Sequence, residues 1–295
     1  MIRPVLFLAS VLALVACGQQ APFPESRFEA TDALIETMAT AIAESDRLSL
    51  IADIDHARLG AEVDSVMTPA RVLIFSDPEL ESEVIALNPL AALDFPLRAL
   101  AFENPESGES RVVFNRFEYL ASRYGLTSPE AVALGANYDA TLSSVLSGVD
   151  ETRIAHFESD SMQPDGIITI ESPYDFKETV DRVKAAIDSQ DDTMYFGEVD
   201  FQANAAGLGI DLRDSYMILF GAPGPGGKVM SSAPTLGLDG FCQKFLIWTG
   251  EDGVVRLSFN DLIALAERQG APVAVPLRVV NFRLNSVFEE ALAAE

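Results

Sequence analysis

Asp53, Asp55 and His56 form the one polar knot beside an apolar, strand-like stretch at residues 48–54. Two carboxylates and an imidazole are a set that can hold a divalent metal or move a proton. Asp94, Arg98 and Asn115 join them if the strands they border are neighbours, and Asn88, just before Pro89, lies between them in the chain. The tentative ligand-binding set is therefore Asp55, His56, Asn88, Asp94, Arg98 and Asn115. Spacing supplies a counter-reading. Asp53 and Asp55 are two apart and share a strand face, whereas His56 faces the other way or lies past the strand end. Asp55 then caps a short helix at 57–63, with His56 as its first-turn neighbour. Asp94 satisfies backbone N–H groups in an irregular segment, and Arg98 pairs with Asp94 as a structural ion pair.

Other reactive motifs are missing. Residues 218–228, ILFGAPGPGGK, lead a strand into glycines and a lysine, but a phosphate loop needs Gly at Ala222 and Ser or Thr at Val229. The segment reads as a flexible turn. No Gly-x-Ser-x-Gly, Cys-x-x-Cys or His-Glu-x-x-His occurs, and the only histidines are His56 and His156. No catalytic residue, metal ligand or cofactor is assigned.

The first residues carry an address. Arg3 precedes an apolar run at 5–15 broken only by Ser10, too short to span a bilayer and suited to a signal-peptide core. The run ends in Leu14-Val15-Ala16-Cys17-Gly18, which resembles a bacterial lipobox with Cys17 as the lipidation site. One acyl chain holds marginally, and two or more anchor stably. Gly18, rather than Asp, points to the outer membrane in enterobacterial-type sorting. Cys242, the second of 2 cysteines, is left alone in an apolar stretch and reads as a small core residue. The formal charge is −25, and loss of Arg3 makes the mature chain more negative still. Phosphate contacts need clustered Lys and Arg, so nucleic acid is excluded as a partner.

The chain contains itself twice. At a constant offset of 145 residues without a gap, Asp55 meets Asp200, Phe75 meets Phe220, and Pro78 and Pro89 meet Pro223 and Pro234. Asp94, Asn115, Arg123 and Gly125 meet Asp239, Asn260, Arg268 and Gly270 in the same way. Each unit is expected to run strand 27–31, helix capped by Asp32, strand, short helix, strand 71–75, a turn at Pro78, an irregular segment at Asn88-Pro89, two strands and a helix ending at Gly125. Mixed strands and helices without βαβ alternation predict α+β, with a mainly antiparallel sheet covered on one face by helices. The boundaries are a signal peptide at 1–16, a lipidated tether at 17–26, a first unit at 27–126, a linker with its own helix at 127–165, and a second unit at 166–295. The last of these ends in a helix for which Ser286 and Glu289 form a capping box.

With both copies aligned, the unit resembles the DUF302 family, the TT1751-like fold. The resemblance rests on ADIDHARLGAEV at 52–63, RVLIFSDP at 71–78, NPLAALDFPLR at 88–98 and Phe114-Asn115. The second copy departs from it: Phe201 replaces His56, Ala233 replaces Asn88, Gly240-Phe241 replace Phe95-Pro96, and Gln243 replaces Arg98. The resemblance implies two tandem α+β units of TATA-binding-protein-like type and carries no established activity. The expectation is a lipid-anchored, periplasm-facing envelope protein, held to the membrane through its N-terminal lipid. It would be a non-catalytic module for another envelope protein or a small molecule. The alternative is an enzyme or metal-binding protein using Asp55, His56 and Asp94 of the first unit.

Overall fold

The structure, a computed structural model, describes residues 22–157 and 166–294. The leader, Cys17 and the start of the tether lie outside the described residues. No helix among the described residues is long and apolar enough to cross a membrane.

The first unit runs α1 (Glu29–Ala43), β1 (Ser49–Asp55), α2 (His56–Glu62), β2 (Ala70–Ser76), α3 (Pro78–Leu87), a 3-10 segment Pro89–Asp94, β3 (Leu97–Glu103), β4 (Ser110–Val113), α4 (Phe117–Tyr124) and α5 (Pro129–Val145). The second runs β5 (Ile167–Glu171), α6 (Phe176–Asp188), β6 (Met194–Asp200), α7 (Phe201–Gly207), β7 (Ser215–Gly221), α8 (Pro223–Met230), a 3-10 segment Pro234–Gly237, β8 (Gln243–Thr249), β9 (Val255–Asn260), α9 (Leu262–Arg268) and α10 (Val275–Ala291). The fold is α+β. Two antiparallel sheets, ordered β1-β2-β3-β4 and β5-β9-β8-β7-β6, each carry the helices of their own unit.

Local chemistry explains most elements and corrects several expectations. Pro78 does not make a turn. Asp77 accepts a hydrogen bond from Leu80 N, Pro78 takes the first helical position, and Glu79 complements the N-terminal dipole of α3. Its counterpart in unit two, the expected flexible glycine turn, is α8, which Pro223 opens without a side-chain cap. Residues 27–31 are not a strand: a 3-10 turn, Glu25–Arg27, leads directly into α1. Asp32 lies inside the first turn of α1, and Phe28 holds the cap position. Ser286 and Glu289 lie inside α10, so they cap nothing.

Unit two gains β5 because its residues can donate to a ladder. Ile167 and Thr169 pair with β9, whereas the same offset in unit one falls on Pro22 and Pro24, which have no N–H. The exposed edge of β4 is instead met by the connecting chain, through a bridge from Val112 to Ile154 and Ala155 N to Val112 O at 2.7 Å. The helix expected in the linker, α5, packs on α1, α3 and α4 as α10 packs on α6, α8 and α9. It takes the same place in its unit as α10 does.

Strand register corrects the gapless alignment. Ile74 pairs with Arg98, but its equivalent Leu219 pairs with Lys244. The offset is therefore one residue larger through β8 than through β7. Gly240 is the added residue, between Asp239 and Phe241. The β8–β9 hairpin compensates: residues 250–254 replace the one-longer 104–109 of the β3–β4 hairpin. Phe241 is thus the counterpart of Phe95, Cys242 of Pro96, and Lys244 of Arg98.

The units close on each other reciprocally. Pro89–Asp94 packs on β7, β8 and β9, while Pro234–Gly237 packs on β2 and β3; α2 meets α8 and α3 meets α7. This is the isologous geometry of a symmetric dimer, built within one chain. His56 belongs to it. Its Nε2 lies 3.1 Å from Gly237 O, and a Cβ on Gly237 would stand 2.9 Å from His56 Cδ2 and 3.2 Å from Met230 Sδ. The residues equivalent to His56 and Gly237 in the other unit are Phe201 and Ala92, so a methyl group is already present there.

Gly237→Ala should therefore destabilise the protein by about 1–3 kcal/mol through overpacking. In a His56→Ala background the same change should cost less, a coupling readable by denaturant unfolding of all four members of the cycle. Additive effects would show that the ring and the glycine do not constrain each other.

Candidate functional site

The polar centre of the molecule is a buried ionic cluster in the seam between the units. Asp94 is set by the 3-10 segment that follows Asn88, and Arg98 by β3. Asn115 follows β4, and Arg123 sits in the last turn of α4. Unit two supplies the counterparts Asp239, Lys244, Asn260 and Arg268. All eight are buried.

Their contacts cross the seam in matched pairs. Arg123 donates to Asp94 Oδ2 at 3.0 Å and to Asn260 Oδ1 at 2.6 Å. Arg268 reaches Asp239 Oδ2 at 3.5 Å and donates to Asn115 Oδ1 at 2.7 Å. Lys244 Nζ lies between the carboxylates, 3.4 Å from Asp94 Oδ1 and 3.3 Å from Asp239 Oδ1. Arg98 Nη1 donates to Leu238 O at 3.3 Å and stands 3.9 Å from Asp239 Oδ1. Asn115 Nδ2 donates to Asp239 Oδ2 at 2.9 Å, and Tyr124 OH donates to Asp94 Oδ2 at 2.6 Å. The Arg268 guanidinium also stacks 3.4 Å from the Tyr119 ring centroid.

Protonation follows from these neighbours. Burial alone would raise the Asp94 carboxyl, but Arg123 and Lys244 outweigh it and hold the group well below the usual carboxylate range. Asp239 is likewise held low, burial being outweighed chiefly by Lys244. Burial, with Arg98 nearby, pulls Lys244 down from its ordinary value while the two carboxylates pull it up. The Cys242 thiol is pushed up to about 11 by burial, so it stays protonated at neutral pH.

The tentative set divides between four places. Asp94, Arg98 and Asn115 belong to the cluster. Asp55 caps α2, accepting from Arg58 N at 2.9 Å, and pairs with the Arg58 side chain. His56 is spent on Gly237 O; burial lowers its pKa to about 4, with that hydrogen bond opposing, so the ring is neutral at neutral pH. Asn88 caps the 3-10 segment through Leu90 N at 3.0 Å and donates to Tyr124 O at 3.0 Å. Asp53 pairs with Arg71 across the β1–β2 ladder. Arg98 does not pair with Asp94, as the sequence suggested; its nearest carboxylate is Asp239 of the other unit. Among the described residues no group of three His, Cys, Asp or Glu side chains is placed to hold a metal ion.

Sequence reasoning missed Arg123, Lys244, Arg268 and Asn260. The signal for three of them was present: Asp, Asn and Arg recur together in both copies. Lys244 was hidden by the one-residue slip at Gly240.

A second feature is a small open cavity of about 40 Å³ in unit two, lined in part by Gly221, Gly226, Phe241, Gln243, Gln190 and Arg283. In unit one the positions of Gly221 and Gly226 hold Ser76 and Glu81, which are joined by a hydrogen bond of 2.7 Å. Burial pushes the Glu81 carboxyl up to about 8, with Ser76 opposing.

The model of the family described as "Domain of unknown function DUF302" matches residues 25–145 and 168–290. A protein of Brucella suis biovar 1 named fluoride-specific ion channel FluC 1 is 33% identical over 139 residues, 46% of this chain and 54% of that protein. The Brucella abortus biovar 1 protein of the same name is 33% identical over 139 residues, 46% of this chain and 51% of its own. The chain thus spans about half the length of the curated relatives it matches. A solved structure described as an uncharacterized conserved protein DUF302 from Bacillus stearothermophilus is 12% identical, with a TM-score of 0.37. It covers 43% of this chain and 94% of its own.

Two outcomes follow. Asp94→Asn should destabilise the protein by about 3–5 kcal/mol, because it strands buried Arg123 and Lys244. Asp53→Asn, which breaks a half-exposed pair, should cost no more than about 1 kcal/mol. Comparable losses in urea unfolding would contradict the assignment of the cluster as the principal electrostatic support. Glu81 sets a pH dependence. Its folded pKa lies above its unfolded value, so its contribution is fully present below about pH 4.5 and is lost as pH rises through about 8. Glu81→Gln should flatten that fall in stability, and an unchanged profile between pH 5 and 9 would count against a buried, protonated Glu81.

Proposed function

The chain belongs to the DUF302 family, whose name carries no activity, and from that premise we propose that it is a non-catalytic, lipid-anchored module that binds a small ligand. One observation carries the binding reading. Unit two has an open, mainly apolar cleft that is lined without a carboxylate, imidazole or thiol. Its lining is mainly carbon and suits an apolar body; Arg283 at its edge is already held by Asp192 through both terminal nitrogens. At the equivalent positions unit one has Ser76 and Glu81 bonded to each other, where unit two has glycines packed against Phe196 and Phe241.

Cys17 supports the anchored part of the reading. Its thiol follows the apolar leader directly, as lipid attachment requires, and a diacylglycerol there would hold a very acidic chain at a membrane that its charge would not attract. The relatives named as ion channels also work at membranes. We place the protein on the periplasmic side of the outer membrane, with an envelope protein as the alternative occupant of its binding surface. The enzyme or metal reading through Asp55, His56 and Asp94 gains nothing from the geometry, which engages each of the three with a different partner.

Mass spectrometry of the full chain purified from membranes tests both parts. The expected result is a lipid-modified Cys17 at a processed N-terminus, together with a small organic molecule released on denaturation. The double change Gly221→Ser with Gly226→Glu, which copies unit one, should abolish the released molecule and leave the lipid. An unmodified leader would sink the anchoring. Absence of a released molecule, or its persistence in the filled variant, would sink the cavity as its site.

A further inference from the structure

The ionic cluster is not balanced. Leaving Arg268 aside, Arg98, Arg123 and Lys244 share two carboxylates, Asp94 and Asp239. Arg98 is the least satisfied of them. Its side chain is 3% exposed, its Nη1 has one long hydrogen bond to Leu238 O, and its nearest carboxylate oxygen is 3.9 Å away. Its Nε and Nη2 are buried and have no partner. Those two nitrogens lie on one edge of the planar guanidinium, where their N–H bonds run parallel. That edge is the fork with which arginine grips an anion. Burying it empty costs more than an unmade neutral hydrogen bond, since the group is charged.

The protein's own chemistry offers no relief. Lys244 can lower the positive charge by losing a proton, and burial pulls it that way. Arginine cannot deprotonate in a protein, so the empty edge of Arg98 remains whatever Lys244 does. An acceptor with negative charge satisfies both the edge and the surplus. Leu238 and Cys242 beside it are fully buried, which limits the occupant to few atoms. Register supports the same point from symmetry: Arg98 and Lys244 are counterparts, so each unit contributes one cation to the middle of the seam.

We propose that the Nε–Nη2 edge of Arg98, with Lys244 close by, binds one small monovalent anion, a halide or an anion of similar size, in the seam between the two units. The site lies apart from the cavity under α8. It deepens the binding-module reading by naming a second ligand class, and it rests on that reading only in assigning the protein to binding rather than to catalysis. The bound anion would couple the units, since its donors come from both. Its loss would loosen the seam before it unfolded either sheet.

Thermal unfolding of the full chain at fixed ionic strength tests this, with chloride or bromide replacing bulky gluconate. Saturating halide should raise the midpoint by about 4 °C or more at a hundredfold excess over the dissociation constant. Arg98→Met, which removes the charge and keeps the length, should fold and lose that response. Arg98→Lys keeps the charge without the fork, and should reduce the response if the methionine variant does not fold. In crystals grown with bromide, the anomalous peak should sit within hydrogen-bonding distance of Arg98 Nε and Nη2. A midpoint indifferent to halide, an equal response in both variants, or no bromide at Arg98 would each overturn the proposal. Every one of these outcomes leaves the Cys17 lipid and the cavity ligand standing, so the two readings fail separately.

Discussion

The pairing of Asp94 with Arg123, and of Asp239 with Arg268, constrains everything around it because none of these charges can be solvated. Each is buried, and a buried charge is tolerated only when its partners are placed well. The partners come from different elements: a 3-10 segment or the turn after it, the last turn of a helix, and the asparagine at or just past the end of a strand of the opposite unit. Fixing the ion pair therefore fixes the 3-10 segment against its own α4 or α9, and through Asn115 and Asn260 against the other sheet. An apolar seam would allow the sheets to slide. This one has a single arrangement in which the carboxylates and guanidiniums meet.

Around that constraint the two copies have diverged where divergence is inexpensive. The strand that unit one lacks would sit at an edge, where two prolines cost only a ladder and the connecting chain covers β4 instead. The cavity of unit two lies where Ser76 and Glu81 give way to two glycines, away from the seam. The contact of His56 with Gly237 is asymmetric, yet it too is reciprocal in position, with Phe201 and Ala92 in the matching places. What has stayed the same is Asp, Asn and Arg in both copies.

The α+β class, the duplication and the boundaries of most helices were legible because they depend on local patterns: caps, prolines at first helical positions, and glycine at a left-handed helix end, as at Gly125 with φ 66°. Helix α3 was missed because Pro78 reads as a turn when the capping Asp77 before it is overlooked. Helix α8 was missed because its glycines lower helix propensity and only packing on α2 and α10 restores it. The cluster was legible in part. Differences between the copies direct attention to His56, Asn88 and Arg98, whereas the charges that meet across the seam are those that both copies retain. Which carboxylate faces Arg98 is a property of how the units dock, and no local pattern encodes docking.

Gly240 shows how strictly the seam is held. A single inserted residue before β8 would normally turn every side chain of the strand to the opposite face, because the side-chain period along a strand is two. Here the strand shifts by one in its pairing with β7, so that the inserted residue is absorbed in the turn and Lys244, rather than Gln243, enters the seam. The hairpin beyond is one residue shorter, which returns β9 and Asn260 to the original offset. An insertion at Gly240 and a deletion in the hairpin that begins at Gly250 thus compensate to keep a cation, a carboxylate and an asparagine in place. Neither sheet needs that compensation for its own hydrogen bonds, since β8 pairs with β7 and β9 in either alignment. The group that does need it is the set of charges between the units. Between the two copies it is the electrostatic register of the seam that is kept, ahead of the simplest register of the strand.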